Sequence, residues 1–268
     1  MERLNSLIYF CVALMFHPLL DHTAQAADWS STEVHYKYGR LLAPAFAGGR
    51  DASTNILTLQ HASGWGFGDV FFFADSLHDN HKDGINDHDL YSELYVSFSL
   101  GKLLGKPISI GAIRDVGLLA GFNWGMDAKV RKYLPGVRLS WDVPGFAFLN
   151  TDFTAYLDDS AGVADRGAPK ESDSYLFDIN WARPFSIGDQ SFSFEGHAEY
   201  AGSRHNEFGS RVPHWILAQP QLRWDAGKAF YGKANQLYLG GEYQYWHHKL
   251  GDGRTTENRP QFQVVWRF

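Results

Sequence analysis

The chain has 268 residues, of which 44% are hydrophobic and 16% aromatic, and its formal net charge is -6 at pH 7. This length is typical of one large domain, and an acidic balance argues against a nucleic-acid-binding surface. The single cysteine, Cys11, belongs to the amino-terminal segment described next. Residues 27–268 therefore can form no disulfide and contain no thiol nucleophile.

The first 26 residues have the pattern of a secretory signal peptide. Arg3 supplies a positive charge, residues 7–20 are mostly apolar, and Ala24-Gln25-Ala26 fits a cleavage site. A transmembrane anchor is the alternative, but the apolar run is short and His17-Pro18 interrupts it. We therefore expect residues 1–26 to be removed during export and residues 27–268 to form a single domain.

Apolar and polar residues alternate along most of the remaining chain, which is typical of β-strands with one apolar and one polar face. In residues 190–200, Phe192 and Phe194 share one face, whereas Glu195 and Glu199 share the other. The pattern predicts about twelve strands, near residues 33–38, 55–61, 69–74, 93–100, 108–123, 137–142, 148–157, 175–181, 190–200, 216–225, 236–245 and 262–268. No stretch of residues 27–268 has the pattern of a transmembrane helix.

The segments between these strands are predicted to alternate in length. Long polar segments follow the odd-numbered strands, at residues 39–53, 75–91, 123–133, 158–173, 202–214 and 247–259. Shorter turns rich in Gly or Pro follow the even-numbered strands, at residues 63–68, 101–107, 142–145, 183–189 and 226–235. A membrane barrel with both termini in the periplasm has this order, with long loops outside and short turns inside. A soluble β-sandwich is the alternative, but it has no reason to sort its loops in this way.

Residues 75–89 are dense in His and Asp, and Asp79-x-His81-x-Asp83-Gly84 resembles the start of a calcium loop. Position twelve of such a loop would be Leu90 instead of Glu, so the segment does not fit an EF-hand. Divalent-ion binding by this loop, or by His247-His248, remains open beside the simpler interpretation of a solvated loop. We predict no metal site and no cofactor.

The carboxyl-terminal strand places Phe262, Val264, Trp266 and Phe268 on one face, with Arg267 on the other. A final strand that ends on an aromatic residue is typical of bacterial outer-membrane barrels, whose apolar face meets lipid. The sequence therefore predicts an all-β fold, a transmembrane antiparallel β-barrel of about 12 strands. Outer-membrane lipid and lipopolysaccharide would surround it, and the barrel-assembly machinery would recognise its last strand.

The chain resembles the nucleoside-specific channel-forming family of outer-membrane proteins, the Tsx-like porins. The order of strands and loops agrees over nearly all of residues 27–268, and the most suggestive run is 57–65 followed by 68–73. The resemblance implies a monomeric barrel whose narrow lumen passes nucleosides by diffusion. Some members also serve as receptors for phage or colicin. Because the loops differ in length, the resemblance does not place the family's nucleoside-contacting residues on this sequence.

A pore that selects nucleosides needs aromatic faces for the base and hydrogen-bonding groups for the sugar. The polar faces of the predicted strands offer both. The candidate lumen residues are Tyr95, Arg138, Phe148, Asp152, Tyr156, Asp178, Glu195, Glu199, Arg223, Tyr238 and Glu242, with Glu93 and Arg267 on the same face. For any one of them, the simpler interpretation is that it fills and solvates a polar lumen through salt bridges.

Two other functions compete with a passive channel. Some barrels of this size hydrolyse lipids with a Ser-His pair, but no serine lies in a nucleophile motif here. His61 and His197 fall on or near the lumen face without a paired nucleophile, so we predict no catalytic residue and no enzyme. The second alternative is a surface receptor or structural barrel whose loops bind phage or colicin.

Overall fold

The computed structural model describes residues 26–268, and the predicted signal peptide lies outside the described residues except for Ala26. The chain is built almost entirely of antiparallel strands. They are β1 (Trp29–Leu42), β2 (Asp51–Trp65), β3 (Gly68–Asp79), β4 (Asp89–Ser99), β5 (Ile113–Gly125), β6 (Val130–Trp141), β7 (Phe148–Asp158), β8 (Ser174–Ile187), β9 (Gln190–Ala201), β10 (Arg204–His205), β11 (Arg211–Val212), β12 (Trp215–Ala218), β13 (Gln221–Asp225), β14 (Leu237–His247) and β15 (Thr256–Arg267).

The sheet closes on itself through its first and last strands. β1 pairs with β15 in a register that joins Glu33 to Arg267 and Gly39 to Gln261. β12 and β13 both lie between β9 and β14, so they are two halves of one barrel strand. β10 and β11 form a separate two-stranded hairpin within the connection between β9 and β12. The prediction of a closed, twelve-stranded antiparallel barrel is therefore confirmed.

The interruption between β12 and β13 falls at Gln219 and Pro220. Proline has no amide hydrogen to donate to the sheet, so a regular ladder cannot continue through it. The neighbouring strand accommodates the break with Gly196, whose φ is +142°. A Cβ atom at Gly196 would collide with the carbonyl oxygen of Gln219. The irregular strand therefore depends on a glycine opposite the proline.

The two faces of the barrel are inverted relative to a soluble protein. Leu57, Leu118 and Phe262 point outward and are more than half exposed. The interior, in contrast, buries charged residues such as Lys37 and Arg223. A soluble sandwich would bury its apolar face, so this arrangement excludes that alternative and fits an outer surface that meets lipid. No helix in residues 26–268 is long and apolar enough to cross a membrane.

The connections lie at two ends of the barrel. The loop end comprises residues 43–50, 80–88, 126–129, 159–173, 202–214 and 248–255, and the turn end comprises residues 66–67, 100–112, 142–147, 188–189 and 226–236.

The predicted sorting of connections by length is wrong at three of the eleven connections, one at the loop end and two at the turn end. Residues 126–129 form a tight turn because β5 and β6 extend further than predicted, and β5 begins only at Ile113. At the turn end, short helices lengthen two connections, α1 (Leu100–Leu103) and α2 (Ala226–Tyr231). The last residue of the preceding strand caps each helix through a side-chain oxygen, from Ser99 in α1 and from Asp225 in α2.

Candidate functional site

The barrel encloses a cavity of about 2940 Å³ that is lined by side chains from every barrel strand. All eleven residues predicted to face the lumen line this cavity, namely Tyr95, Arg138, Phe148, Asp152, Tyr156, Asp178, Glu195, Glu199, Arg223, Tyr238 and Glu242. Their shared face follows from the two-residue period of the strands, which turns alternate side chains inward. Their contact with a solute remains a prediction, and their partners in the lumen divide them into separate groups.

The first group, here named the Glu33 network, consists of Glu33, His35, Glu195, Arg223 and Arg267. One carboxylate oxygen of Glu33 lies 2.8 Å from His35 Nε2 and 3.1 Å from Arg223 Nη1. The other lies 2.6 Å from Arg267 Nη2, across the seam between β1 and β15. Glu195 approaches Arg223 to 3.2 Å, and Arg223 is only 2% exposed. These contacts join β1, β9, β13 and β15 from the inside of the barrel.

Glu242 on β14 is also held by its neighbours. Its carboxylate lies 3.3 Å from Lys37 Nζ, and it accepts hydrogen bonds from Gln221 at 2.7 Å and from Gln261 at 3.0 Å. Glu242 is 2% exposed and Lys37 is 5% exposed. The carboxylate therefore has its acceptor capacity taken up by the barrel wall.

A third group lies on β6 to β9. Arg138 donates two hydrogen bonds to Asp152, at 2.8 and 2.6 Å, which is the paired geometry that a guanidinium and a carboxylate favour. Asn180 donates to Asp152 at 3.3 Å and to Asp178 at 2.7 Å. Asp178 in turn lies 3.3 Å from Nδ1 of His197. Arg138 and Asp152 thus satisfy one another, as the simpler interpretation of these residues predicted.

Aromatic rings from several strands meet inside the lumen. Tyr156 and Trp215 have ring centroids 6.4 Å apart, and Trp215 and Trp246 have centroids 6.1 Å apart, both in edge-to-face orientation. Tyr95 and Trp246 pack against the buried apolar cluster that contains Tyr156 and Trp215. The ring of Tyr95 lies over Gly121, where a Cβ atom would be 2.7 Å from the ring. The glycine therefore makes room for the tyrosine inside the barrel.

Two carboxylates accompany these rings. Glu93 accepts hydrogen bonds from Tyr91 at 2.6 Å and from Asn123 at 2.9 Å, and Glu199 on β9 pairs in register with Leu217 of the buried apolar cluster. Both are buried, yet within residues 26–268 neither has a cationic group within 4.0 Å. The set that combines these carboxylates with the rings is named the aromatic–carboxylate section and comprises Glu93, Tyr95, Tyr156, Glu199, Trp215 and Trp246.

Cationic side chains border this section toward the loop end. Lys132 Nζ and the Arg204 guanidinium lie 5.0 and 5.6 Å from the centroid of the Tyr156 ring. Both cations pair with Glu171, at 2.7 and 2.6 Å. Lys249 Nζ lies 5.4 Å from the Trp246 ring. Burial lowers the pKa of Lys249, an effect that its ion pair with Glu257 opposes.

The predicted aromatic residues all face one lumen, but the structure places them at different heights along the barrel axis. Phe148 and Tyr238 begin β7 and β14 at the turn end, whereas Tyr156 and Trp246 lie near the loop end of the same two strands. The sequence interpretation missed Trp215 and Trp246 because its strands began at residue 216 and ended at residue 245. Extending the alternation by one residue would have placed both tryptophans on the lumen face.

A closed barrel with an apolar outer surface and a cavity lined by charged and aromatic side chains defines the class of outer-membrane channels. The family model of the nucleoside-specific channel-forming protein, Tsx, matches residues 24–267, and the chain belongs to this family. The protein is therefore an outer-membrane channel for the uptake of small solutes. The family and fold imply a transporter and not an enzyme, and the alternative of a surface receptor or structural barrel is not favoured.

The fold is shared with a solved porin structure. The chain is similar to the NanC porin at 13% sequence identity and a TM-score of 0.50, over 88% of this chain and 98% of that chain. It is also similar to the KdgM porin at 10% identity and a TM-score of 0.46, over 88% of this chain and 99% of that chain. No curated protein matches the chain.

Proposed function

We propose that the channel passes nucleosides by passive diffusion and that the aromatic–carboxylate section is where they bind in transit. One observation carries this proposal. The section brings together four aromatic rings and two buried carboxylates that have no cationic partner within 4.0 Å among the described residues. Elsewhere in the lumen, the described carboxylates Glu33, Asp152 and Glu242 are already paired with cations.

The chemistry of a nucleoside matches both halves of this section. An aromatic ring in a protein stabilises a stacked base by about 1–3 kcal/mol, whichever base it is. The sugar hydroxyls can donate hydrogen bonds to Glu93 and Glu199. Such binding is weak enough for release, which a channel requires. Because its carboxylates have no cation within 4.0 Å among the described residues, the section favours neutral or cationic solutes over anions, and therefore nucleosides over nucleotides.

The predicted lumen residues take different roles in this proposal. Tyr95, Tyr156 and Glu199 contact the solute. Asp178 holds the imidazole of His197 in the adjoining part of the lumen wall. The other seven support the barrel wall or line the turn end, namely Arg138, Phe148, Asp152, Glu195, Arg223, Tyr238 and Glu242.

The remaining features of the protein in the cell envelope are also proposals. Residues 1–26 would be a cleaved signal peptide and residues 27–268 a single, monomeric barrel domain. Lipid and lipopolysaccharide would contact its outer face, the assembly machinery would recognise β15, and phage or colicin would use the loop end. The channel would work without a cofactor and without enzymatic activity.

Single-channel conductance in a planar bilayer tests the proposal. The refolded barrel is titrated with adenosine and thymidine, and with sucrose as a control sugar. We expect saturable block of the ion current by both nucleosides and none by sucrose. Ion current without any nucleoside effect would retain the channel and reject the nucleoside. Absence of ion current would favour a plugged receptor.

A further inference from the structure

Three histidines gather on the outer surface of the loop end. His214 is the last residue before β12, His247 is the last residue of β14, and His248 follows it. One ring nitrogen from each lies within 4.8 Å of those of the other two. The strands bring them together, because β12 pairs with β14 through Ile216 and His247. Their neighbours Trp215 and Trp246 point the other way, into the lumen.

Hydrogen bonds fix the orientation of these imidazoles. His248 Nδ1 lies 2.8 Å from the carbonyl oxygen of His214. A carbonyl can only accept, so Nδ1 carries the hydrogen and Nε2 keeps a free lone pair. His247 Nδ1 lies 3.1 Å from Oγ1 of Thr256. Metal-binding histidines are commonly held in this way, with one ring nitrogen bound to the protein and the other to the ion.

The third histidine is held by its backbone and its ring face. The amide of His214 donates to Ser203 Oγ at 3.0 Å, and the ring stacks on Tyr200 with centroids 5.4 Å apart. All three histidines are half-buried. The side chains are therefore ordered by the fold yet open to solutes outside the barrel.

We propose that His214, His247 and His248 bind a divalent transition-metal ion, Zn²⁺ or a related ion. Three imidazoles without a carboxylate suit zinc, copper or nickel, whereas calcium and magnesium prefer oxygen ligands. With three protein ligands, a fourth position on the ion stays open to water. This site was not predicted from the sequence, which left ion binding by His247-His248 open but gave no third ligand.

The ion would add a further link between two segments that already meet through the β12–β14 pairing and the hydrogen bond from His248 to His214. His214 closes the connection 202–214, whose residues Arg211 and Val212 line the mouth of the lumen. His247 ends β14, and His248 begins the connection that follows it. Bound metal would therefore hold the connection 202–214 against the end of β14. A second group of potential ligands, Asp178, His197 and Glu199, lies inside the lumen and belongs to the solute pathway.

Isothermal titration of the refolded barrel with Zn²⁺ tests the site, and the absorption spectrum with Co²⁺ reports its coordination. We expect one Zn²⁺ per barrel and a tetrahedral Co²⁺ spectrum. His214→Ala, His247→Ala and His248→Ala should each weaken Zn²⁺ binding at least ~10-fold, and Thr256→Val should weaken it about 10-fold through loss of orientation. His205→Ala removes an exposed histidine of the same connection and should leave binding unchanged.

Several results would overturn the proposal. These are no Zn²⁺ binding by the parent barrel, equal affinity in the His214/His247/His248 triple alanine variant, or loss of binding in His78→Ala, which belongs to the stacked His78–His88 pair. Binding of inorganic phosphate but not Zn²⁺ would assign the cluster to anions and also reject it. Retained ion conductance shows that each variant has folded, and the result is independent of which solute the channel passes.

Discussion

The Glu33 network and the aromatic–carboxylate section are two buried polar regions of one lumen, and they differ in how their charges are satisfied. Glu33 has two guanidinium groups and an imidazole within 3.1 Å. Glu93 and Glu199 have no cation within 4.0 Å among residues 26–268. A carboxylate paired with cations of the protein stabilises the wall, whereas one without a nearby cation can accept further hydrogen bonds from a solute. The comparison therefore separates structural from solute-binding charges on the same barrel.

Breaking the Glu33 network should have the largest effect on stability. Arg223→Met removes a cation that is 2% exposed and leaves Glu33 and Glu195 short of a partner. Truncation of one member of a buried ion pair costs about 3 kcal/mol or more, because the remaining charge stays desolvated. We expect the free energy of unfolding to fall by about 3 kcal/mol. Unfolding in urea, monitored by tryptophan fluorescence, measures this change. An unchanged unfolding midpoint would show that the network does not support the barrel.

Removing a ring from the aromatic–carboxylate section should impair solute binding. Tyr156→Ala removes one aromatic ring on which a base can stack. A lost stacking interaction of roughly 1.4 kcal/mol corresponds to about 10-fold weaker binding. We therefore expect adenosine to block the ion current about 10-fold more weakly. Phe148→Ala is the matched control, because Phe148 lines the same cavity at the turn end on the same strand. Equal weakening by both variants would contradict a localised site.

The two glutamates of β9 give a sharper test of the comparison. Glu199→Gln removes a carboxylate that has no cation within 4.0 Å among the described residues, and we expect nucleoside block to weaken about 3-fold with lower preference for K⁺ over Cl⁻. Glu195→Gln changes a residue of the same type on the same strand face, but its charge is paired with Arg223. It should lower stability and leave nucleoside block unchanged. If Glu195→Gln weakened nucleoside block and Glu199→Gln lowered only stability, the division between the Glu33 network and the aromatic–carboxylate section would be rejected.

The smallest effect is expected for an ion pair at the loop end. Arg259 and Asp51 approach to 2.6 Å, but about a third of each side chain is exposed. Exposed pairs contribute about 0–1 kcal/mol, because water solvates both charges when they separate. Arg259→Met should therefore lower the free energy of unfolding by less than about 1 kcal/mol. A loss comparable to that of Arg223→Met would show that burial does not distinguish the two pairs.

The sequence by itself determined the barrel, the approximate number of strands and the lumen face of each strand. These properties are local, since a period of two assigns every side chain to a face as soon as the strand is recognised. It is for this reason that all eleven predicted lumen residues line the cavity. The apolar outer face and the aromatic last strand likewise follow from residues that are close together in the chain.

The tertiary structure alone decided which lumen residues are neighbours. Glu33 meets Arg267 because barrel closure pairs the first strand with the last, and His214 meets His248 because β12 lies beside β14. The alternation pattern predicts which face of a strand a residue occupies. It predicts neither the height of that residue in the barrel nor the residue that it meets on another strand. Strand register and closure fix those two coordinates, so the division of the lumen into paired and unpaired charges, and the histidine cluster outside it, appear only in the folded barrel.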